Sequence, residues 1–251
     1  MALFKTRGII IKTQDYKEAD KIVWIFTEKL GKVSCIARGA KRGKSKFLST
    51  TLPFCFGDFV LFKGKSFYNI SEIEVIDSFQ GLLMDLETIT YASYFCELLD
   101  ICLMDEESNR DLFREVISAF YLLKSKAVDI EVLTRALELN VLRATGYGLD
   151  LEECCICKAK ISSSDYVNLQ YLGGVCENCE KINGMAISRA SYNSIKILNK
   201  FPLEKLARIS LDKKIKKEIF DLITIIISQN YYRKPKSLEA LKFLKGSECN
   251  E

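Results

Sequence analysis

Runs rich in Val, Ile and Phe, separated by glycine or acidic turns, occupy much of the first 80 residues, and the third and fifth of them alternate apolar and polar positions as β-strands with one buried face do. Strands are expected at residues 8–12, 21–27, 32–38, 58–63 and 67–76. In the third of these, Val33, Cys35 and Ala37 share one face. Five short strands in one segment predict a small closed barrel, for which an OB-like barrel is the expectation and an SH3-like barrel the alternative.

The period changes after Leu82, where apolar residues recur at spacings of three and four, as in amphipathic helices. Helices are expected at residues 82–103, 109–124, 130–146, 189–200 and 212–232. The β-branched run Ile225–Ile227 leaves a strand open as an alternative for part of the last segment. The sequence therefore predicts an α+β protein in which a five-stranded OB-like barrel precedes an α-helical domain with an inserted four-cysteine zinc module.

Net charge changes sign close to the points where the period changes. Residues 1–80, 81–150 and 151–251 carry net charges of +6, −7 and +5. These coincidences support boundaries near residues 80 and 150, and the cysteine cluster defines a further module after the second boundary. The expected divisions are an OB-fold nucleic-acid-binding domain (1–80), the first part of a helical domain (81–150), a four-cysteine zinc module (151–186) and the C-terminal part of the helical domain (187–251).

Composition excludes several classes of enzyme. The 251 residues include no histidine, so Ser-His-Asp and Cys-His catalysis, H-E-x-x-H zinc proteases and H-x-E deaminases are ruled out. The segment Gly39–Ser45 has three residues between its glycines where a phosphate-binding loop needs four, so nucleotide hydrolysis is not expected. Charged residues come too early for a secretory signal, and we expect a cytoplasmic protein without a membrane partner.

Two C-x2-C pairs provide the sharpest chemical signal. Cys154 and Cys157 are separated from Cys176 and Cys179 by 18 residues, a spacing typical of four-cysteine zinc sites. Soft thiolate ligands favour one zinc ion, with an iron–sulfur cluster or metal-free buried or redox-active thiols as alternatives. Four protein ligands leave no open position, so the zinc would be structural. Of the other cysteines, Cys35, Cys55, Cys96 and Cys102 are expected in the core, and Cys249 in an exposed tail.

A run of cations follows the third predicted strand. Residues 38–46 contain five cations and no acid, namely Arg38, Lys41, Arg42, Lys44 and Lys46. An exposed, mobile loop of this kind fits a polyanion that neutralises it with release of counterions. A solvated loop without a ligand is the alternative.

Further cations and several aromatic residues follow the loop. Lys63 and Lys65 add charge to the same predicted surface. Aromatic residues that could stack on bases or fill the core are Phe47, Phe54, Phe56, Phe59, Phe62, Phe67 and Tyr68. A weaker basic patch, Lys213–Lys217 with Lys234, Lys236 and Lys242, either binds an anion or is a solvated helix face.

Several short stretches, taken in order, resemble the bacterial RecO family over essentially the whole chain. The matching stretches are 16–23, 26–27 with Gly31, 37–42, 44–45, 52–54, Asp85, 94–99, 146–147, Leu151 with Cys154 and Cys157, Gly173–Gly174 before Cys176 and Cys179, and 236–238. Many relatives have glycine after each cysteine pair, where this chain has Lys158 and Glu180. The resemblance implies a family member with an OB-fold, a helical domain and a structural zinc site.

The resemblance also implies function. Members of this family are recombination and repair mediators that bind single- and double-stranded DNA, anneal complementary strands and do not act as enzymes. They bind the C-terminal tail of single-stranded DNA-binding protein (SSB) and act with RecR to help load RecA. It follows that the basic loop contacts DNA, that Arg135 and Arg143 are candidates for the SSB tail, and that the protein is cytoplasmic and nucleoid-associated.

Two other classes of function remain open at this stage. A zinc-stabilised OB-fold protein could bind RNA or associate with the ribosome, because barrels and four-cysteine modules also occur there. A thiol oxidoreductase could use one cysteine pair, which would require an exposed thiol of low pKa.

Overall fold

The computed structural model describes residues 2–238 and 240–241. The expectations for Cys249 and Lys242 lie outside these residues. By packing, the chain divides into two compact units. The first contains the residues up to Lys124 together with the described residues from Pro235 onward, and the second is Ser125–Lys234.

The first unit begins with the closed five-stranded barrel that the five apolar runs predict. Its strands are β1 (Leu3–Tyr16), β2 (Asp20–Thr27), β3 (Gly31–Ala37), β4 (Phe56–Lys63) and β5 (Tyr68–Asp77). They close in the order β1-β2-β3-β5-β4, with β3 and β5 parallel and the other pairs antiparallel.

Strand β1 is longer than the apolar run in its sequence, because it pairs with two neighbouring strands. Its first half pairs with β4 and its second half with β2, while Gly8 and Ile9 pair with both. Polar residues at either end, such as Lys5 and Gln14, are therefore held in strand by backbone hydrogen bonds and not by burial. The interior is filled by alternate residues including Ile10, Val23 and Leu61.

Two helices cover one side of the barrel within the first unit. A short 3-10 helix (Gln80–Met84) leads into α1 (Leu86–Cys102), which is followed by α2 (Arg110–Ser125). Phe113 of α2 packs against Phe26 and Phe56 of the barrel, with ring centroids 5.6 and 6.3 Å apart. The cysteines expected in the core, Cys35, Cys55, Cys96 and Cys102, are all buried.

The second unit combines three helices with a small sheet. The helices are α3 (Ile130–Ala144), α4 (Arg189–Lys200) and α5 (Lys213–Asn230), with a 3-10 helix at Leu203–Arg208. The sheet has the order β7-β6-β8, formed by β6 (Tyr166–Asn168), β7 (Gly173–Gly174) and β8 (Gly184–Ala186). The run Ile225–Ile227 lies inside α5, so the helical prediction is confirmed and the strand alternative is wrong.

After α5 the described chain returns to the first unit. Ser237 donates two hydrogen bonds to Glu97 of α1, from its backbone N–H at 2.9 Å and from its hydroxyl at 2.7 Å. Leu238 and Leu241 are buried. Among the residues described, none of the helices has the length and apolar character needed to cross a membrane.

Candidate nucleic-acid interface and metal centre

The basic loop begins directly after β3 and is held in place at both ends. The N–H of Gly39 donates to the carboxylate of Asp20 at 2.8 Å, and the N–H of Lys41 donates to the carbonyl of Ala19 at 2.9 Å. Ala40 and Phe47 are buried in the barrel core. The loop therefore consists of hydrogen-bonded turns that are attached to the tip of the β1–β2 hairpin, and its cations project from a defined backbone.

All five cations of the loop are exposed, and most of their charge is uncompensated. Lys41 pairs with Asp15 at 2.8 Å, and this hydrogen bond lowers the pKa of the Asp15 carboxyl. Within the described part of the chain, Arg38, Arg42, Lys44 and Lys46 have no acidic partner. Several positive charges in one turn attract a polyanion at long range.

Two of these cations are oriented by neutral groups of β5. The Nε of Arg38 donates to the side-chain oxygen of Asn69 at 3.3 Å, and the Nζ of Lys46 donates to the carbonyl of Ser71 at 3.0 Å. Neutral acceptors fix the position of a cation without cancelling its charge. The loop is thus joined to β5 as well as to β3.

Lys63 and Lys65 lie at the β4–β5 turn, close to this region through the pairing of Phe62 with Asn69. Lys63 forms an ion pair with Glu106 at 2.8 Å, and this hydrogen bond raises the pKa of the lysine. Lys65 is exposed. Of the two, Lys65 offers the more available positive charge.

Most of the aromatic residues near the loop belong to the core. Phe47, Phe54, Phe56, Phe59 and Tyr68 are buried, whereas Phe62 and Phe67 are partly exposed. Strand alternation alone could not have separated these groups, because Phe47 and Phe54 lie outside the strands and Phe113 of α2 packs against Phe56.

The same alternation identifies a residue that the sequence analysis missed. Trp24, the only tryptophan, stands between Val23 and Ile25, which are both completely buried. Its side chain therefore faces outward, and the residue is partly exposed. The Nζ of Lys12 lies 4.6 Å from the centroid of its ring.

The second unit brings the four predicted cysteines together. The sulfurs of Cys154, Cys157, Cys176 and Cys179 all lie within 4.8 Å of one another. Each pair is shaped by a tight turn, in which the N–H of Lys158 donates to the carbonyl of Cys154 and that of Cys179 to the carbonyl of Cys176. Lys158 has φ of 62°, a left-handed conformation that glycine adopts without strain.

The dimensions of this cluster fit a tetrahedral metal ion. Zinc–sulfur bonds of about 2.3 Å place adjacent sulfurs about 3.8 Å apart in a tetrahedron. The sulfurs of Cys157 and Cys176 are separated by 3.7 Å. The four cysteines are therefore positioned to hold one metal ion with no position left for a further ligand.

Backbone N–H groups stabilise negative charge in the cluster. Burial raises the pKa of Cys154, but hydrogen bonds from the N–H groups of Cys157, Cys176 and Ile156 outweigh this effect and lower it to about 6. Hydrogen bonds to Cys176 and Cys157 raise the pKa of Cys179 to about 12. A cation would displace the remaining protons, since thiolates and not thiols ligate metals.

Cys155 stands outside the metal-binding group. Its N–H donates to the carbonyl of Gly174 at 2.9 Å, and its Cβ lies near Gly173. Burial raises the pKa of its thiol. Cys155 thus faces strand β7, and the cluster is formed by the two C-x2-C pairs alone.

The two arginines proposed for the SSB tail differ in exposure. Arg135 is 2% exposed, forms an ion pair with Glu138 at 2.8 Å and packs its guanidinium over Phe220. A helical period does not reveal that α5 covers this face of α3. Arg143 is exposed and donates to the carbonyl of Asn199 and to Asn140, both at 2.7 Å. Of these two arginines, only Arg143 has its charged group at the protein surface.

The lysines of the C-terminal basic patch also differ in exposure. Lys216 is partly buried and pairs with Asp129 and Glu131, so it fastens α5 to the start of α3. Lys213, Lys214 and Lys217 are exposed. The surface charge of this patch is therefore smaller than the sequence run indicates.

Comparison with known proteins places the chain in a family. Residues 1–79 match the family domain described as "Recombination protein O N terminal", and residues 83–239 match "Recombination protein O C terminal". A relative named DNA repair protein RecO from Clostridium novyi is 54% identical over 251 residues, which covers 100% of this chain and 98% of the relative.

More distant relatives carry the same name. The protein from Clostridium perfringens strain 13 is 52% identical over 245 residues, and that from Caldicellulosiruptor saccharolyticus is 31% identical over 245 residues. In both comparisons the aligned region covers 98% of this chain and 100% of the relative. With both domains matched and relatives aligned from end to end, the chain belongs to the RecO family.

Proposed function

We propose that the protein is a non-enzymatic mediator of DNA repair and homologous recombination, which binds single- and double-stranded DNA and anneals complementary strands. The observation that carries this proposal is the basic loop, which is anchored to the β1–β2 hairpin and carries four exposed cations with no acidic partner among the described residues. Phosphates bound there release condensed counterions, a favourable process at low salt.

Annealing follows from the same electrostatics. Two complementary strands repel each other through their phosphates until base pairing compensates for the repulsion. Cations on the loop neutralise phosphates of one strand, so that a second strand approaches at a lower electrostatic cost. The step needs no ATP, and in this proposal no residue acts as a catalytic group.

Family membership supports the proposed partners. These are the acidic C-terminal tail of SSB and RecR, with RecA loaded indirectly as a result. An acidic tail requires an accessible cation, and of the two candidate arginines only Arg143 is exposed. The protein would act in the cytoplasm, associated with the nucleoid.

We assign the metal to one structural zinc ion. Its support is the all-sulfur ligand set and the spacing of the four sulfurs. A filled tetrahedral shell excludes bound water, so the ion would brace the loops that carry Cys154 and Cys176 and would not act on a substrate.

The decisive experiment is an annealing assay with two complementary oligonucleotides, each coated with SSB of the same organism, without ATP. The proposal predicts a marked acceleration of pairing by this protein. Absence of acceleration in spite of tight DNA binding would overturn the mediator function. Preference for structured RNA over single-stranded DNA would favour an RNA-binding protein instead.

Alanine at Lys41, Arg42, Lys44 and Lys46 tests the loop directly. We expect weaker DNA binding and a shallower dependence of log affinity on log salt, by about 0.7 for each phosphate of a single strand that is no longer neutralised. A control with the same change in net charge replaces exposed residues of the second unit outside the C-terminal basic patch, Lys160, Lys200, Lys205 and Arg208. Equal effects of both variants would show that net charge, and not the loop, binds DNA.

A further inference from the structure

The outer face of β1, β2 and β3 carries an open apolar strip beside the basic loop. The pairing of the strands determines which residues lie side by side on this face. Trp24 lies opposite Lys12 and Ser34, and Ile22 lies opposite Gln14 and Ile36. The intervening residues Val23, Ile25 and Cys35 point into the core. Trp24, Ile22 and Ile36 therefore share the outward face.

Helices cover only one end of this face. Phe26, the next outward residue of β2 after Trp24, is completely buried beneath Phe113. Ile22, Trp24 and Ile36 remain partly exposed. Three large apolar side chains that neighbour one another in the sheet thus form a strip to which solvent has access.

Positive charge borders the strip on the side of the loop. Ile36 pairs with Asn69, and Asn69 accepts a hydrogen bond from Arg38. Arg38, the first cation of the loop, therefore lies next to the end of the strip that contains Ile36. The other loop cations follow within eight residues of Arg38. Lys12 lies over the indole at the other end and pairs with Asp100 at 3.3 Å.

This arrangement is complementary to a single strand of DNA. A single strand exposes flat apolar bases on one side and anionic phosphates on the other, whereas a duplex has its bases already stacked inside. An apolar strip next to a row of cations, four of which have no acidic partner in the described part of the chain, offers a partner to both parts of the single strand. A protein helix would satisfy the apolar strip but not the positive border, unless it were acidic.

The geometry points to Trp24, together with Ile22 and Ile36, as a base-stacking surface for single-stranded DNA, with the loop cations holding the phosphates. This inference rests on the proposed DNA-binding function of the loop. It adds a site that recognises unpaired bases and predicts that this chain distinguishes single strands from duplexes through Trp24.

The lone tryptophan allows a direct test on the unaltered protein. Its emission is measured during titration with oligo(dT) of about 15 nucleotides, a length within the range that one OB-fold covers. The matched ligand is an abasic oligonucleotide of equal length, which keeps the phosphates and lacks the bases. We expect quenching and tighter binding with oligo(dT), and weaker binding without quenching with the abasic chain.

Variants then assign the effect to the ring. Trp24→Ala should weaken binding of oligo(dT) by about 5- to 150-fold, the cost of losing one stacked base, with an unchanged salt slope. Trp24→Phe should restore most of the affinity, because phenylalanine also stacks. Tyr171→Ala is the control, since Tyr171 is an exposed aromatic residue of the second unit and should have no effect.

The outcomes separate this inference from the proposed function. Equal affinity for oligo(dT) and the abasic chain with a steep salt slope would overturn the stacking site and leave the basic loop as the DNA-binding element. Binding of neither ligand would overturn both. If Trp24→Ala lowered the melting temperature, Trp24→Phe and the titration of the unaltered protein would still decide the matter.

Discussion

Gly31 and Gly39 show how the same backbone conformation has different consequences at two positions. Both have positive φ, 69° and 66° respectively. A Cβ on Gly31 would lie 2.1 Å from the carbonyl oxygen of Glu107, whereas a Cβ on Gly39 would meet nothing closer than 3.6 Å. Only the turn at Gly31 therefore forbids a side chain on steric grounds.

We expect Gly39→Ala to lower the free energy of unfolding by about 1–2 kcal/mol, the cost of a left-handed alanine. Gly31→Ala should cost more, because the backbone at Glu107 must also move. Urea denaturation of both variants measures the difference. A decrease at Gly31 no greater than the decrease at Gly39 would show that the β2–β3 turn does not press against residue 107.

At the level of single residues, the sequence predicted which cysteines come together better than it predicted which side chains are exposed. The four cysteines of the candidate metal site followed from their spacing, because the ligand set and turn length restrict each other. Arg135 could not be recognised as buried, since its cover is Phe220, some 85 positions later in the chain. Trp24 was overlooked although strand alternation places it on the outer face.

Among the elements, the four-cysteine cluster offers the sharpest prediction. Cys157→Ser should lower the zinc content from one per chain to well below one and destabilise the second unit, because one of the four ligands is removed. Cys155→Ser is a matched control two residues away that leaves all four ligands in place. Measurement of the metal content per chain distinguishes the two variants.

Retention of full zinc by Cys157→Ser, or release of zinc by Cys155→Ser, would show that the ligand set is different. Cys154 and Cys155 are neighbours in the sequence, and the structure agrees with the spacing, since Cys154 belongs to the cluster and Cys155 lies against Gly173.

Periodicity predicted the elements well because each one buries a continuous face. The strand β1 exceeds its apolar run since pairing with two neighbours extends it past the residues that are buried. The run Ile225–Ile227 is helical in spite of β-branching, because Ile226 and Ile227 complete the buried face of α5. The turns that hold the basic loop depend on Asp20 and Ala19 from another hairpin, a contact that no local pattern reveals.

At the scale of the whole molecule, the segment from Pro235 onward belongs to the first unit, and we expect it to contribute to the stability of that unit. Removal of the chain from Pro235 onward deletes two hydrogen bonds to Glu97 and the burial of Leu238 and Leu241. We expect this truncation to destabilise the first unit by several kcal/mol, since each buried leucine contributes about 2 kcal/mol.

Two signals report on the units separately. Trp24 lies in the first unit and the four cysteines of the candidate metal site lie in the second. In the truncated protein, the transition followed by tryptophan emission should move to lower urea concentration, while release of the metal should be unchanged. A shift of both signals by the same amount would mean that the units unfold as one.

The return of the chain to its first unit also sets an order of events during synthesis. The ribosome produces the barrel and its covering helices first, yet Ser237, Leu238 and Leu241 emerge only after the whole second unit has been made. The second unit, continuous from Ser125 to Lys234, has all its residues available earlier than the unit that begins the chain. A chain whose translation stops before residue 235 would thus carry a complete cysteine cluster and an unfinished first unit, the unit for which we propose DNA binding, and such a species would be open to proteolysis.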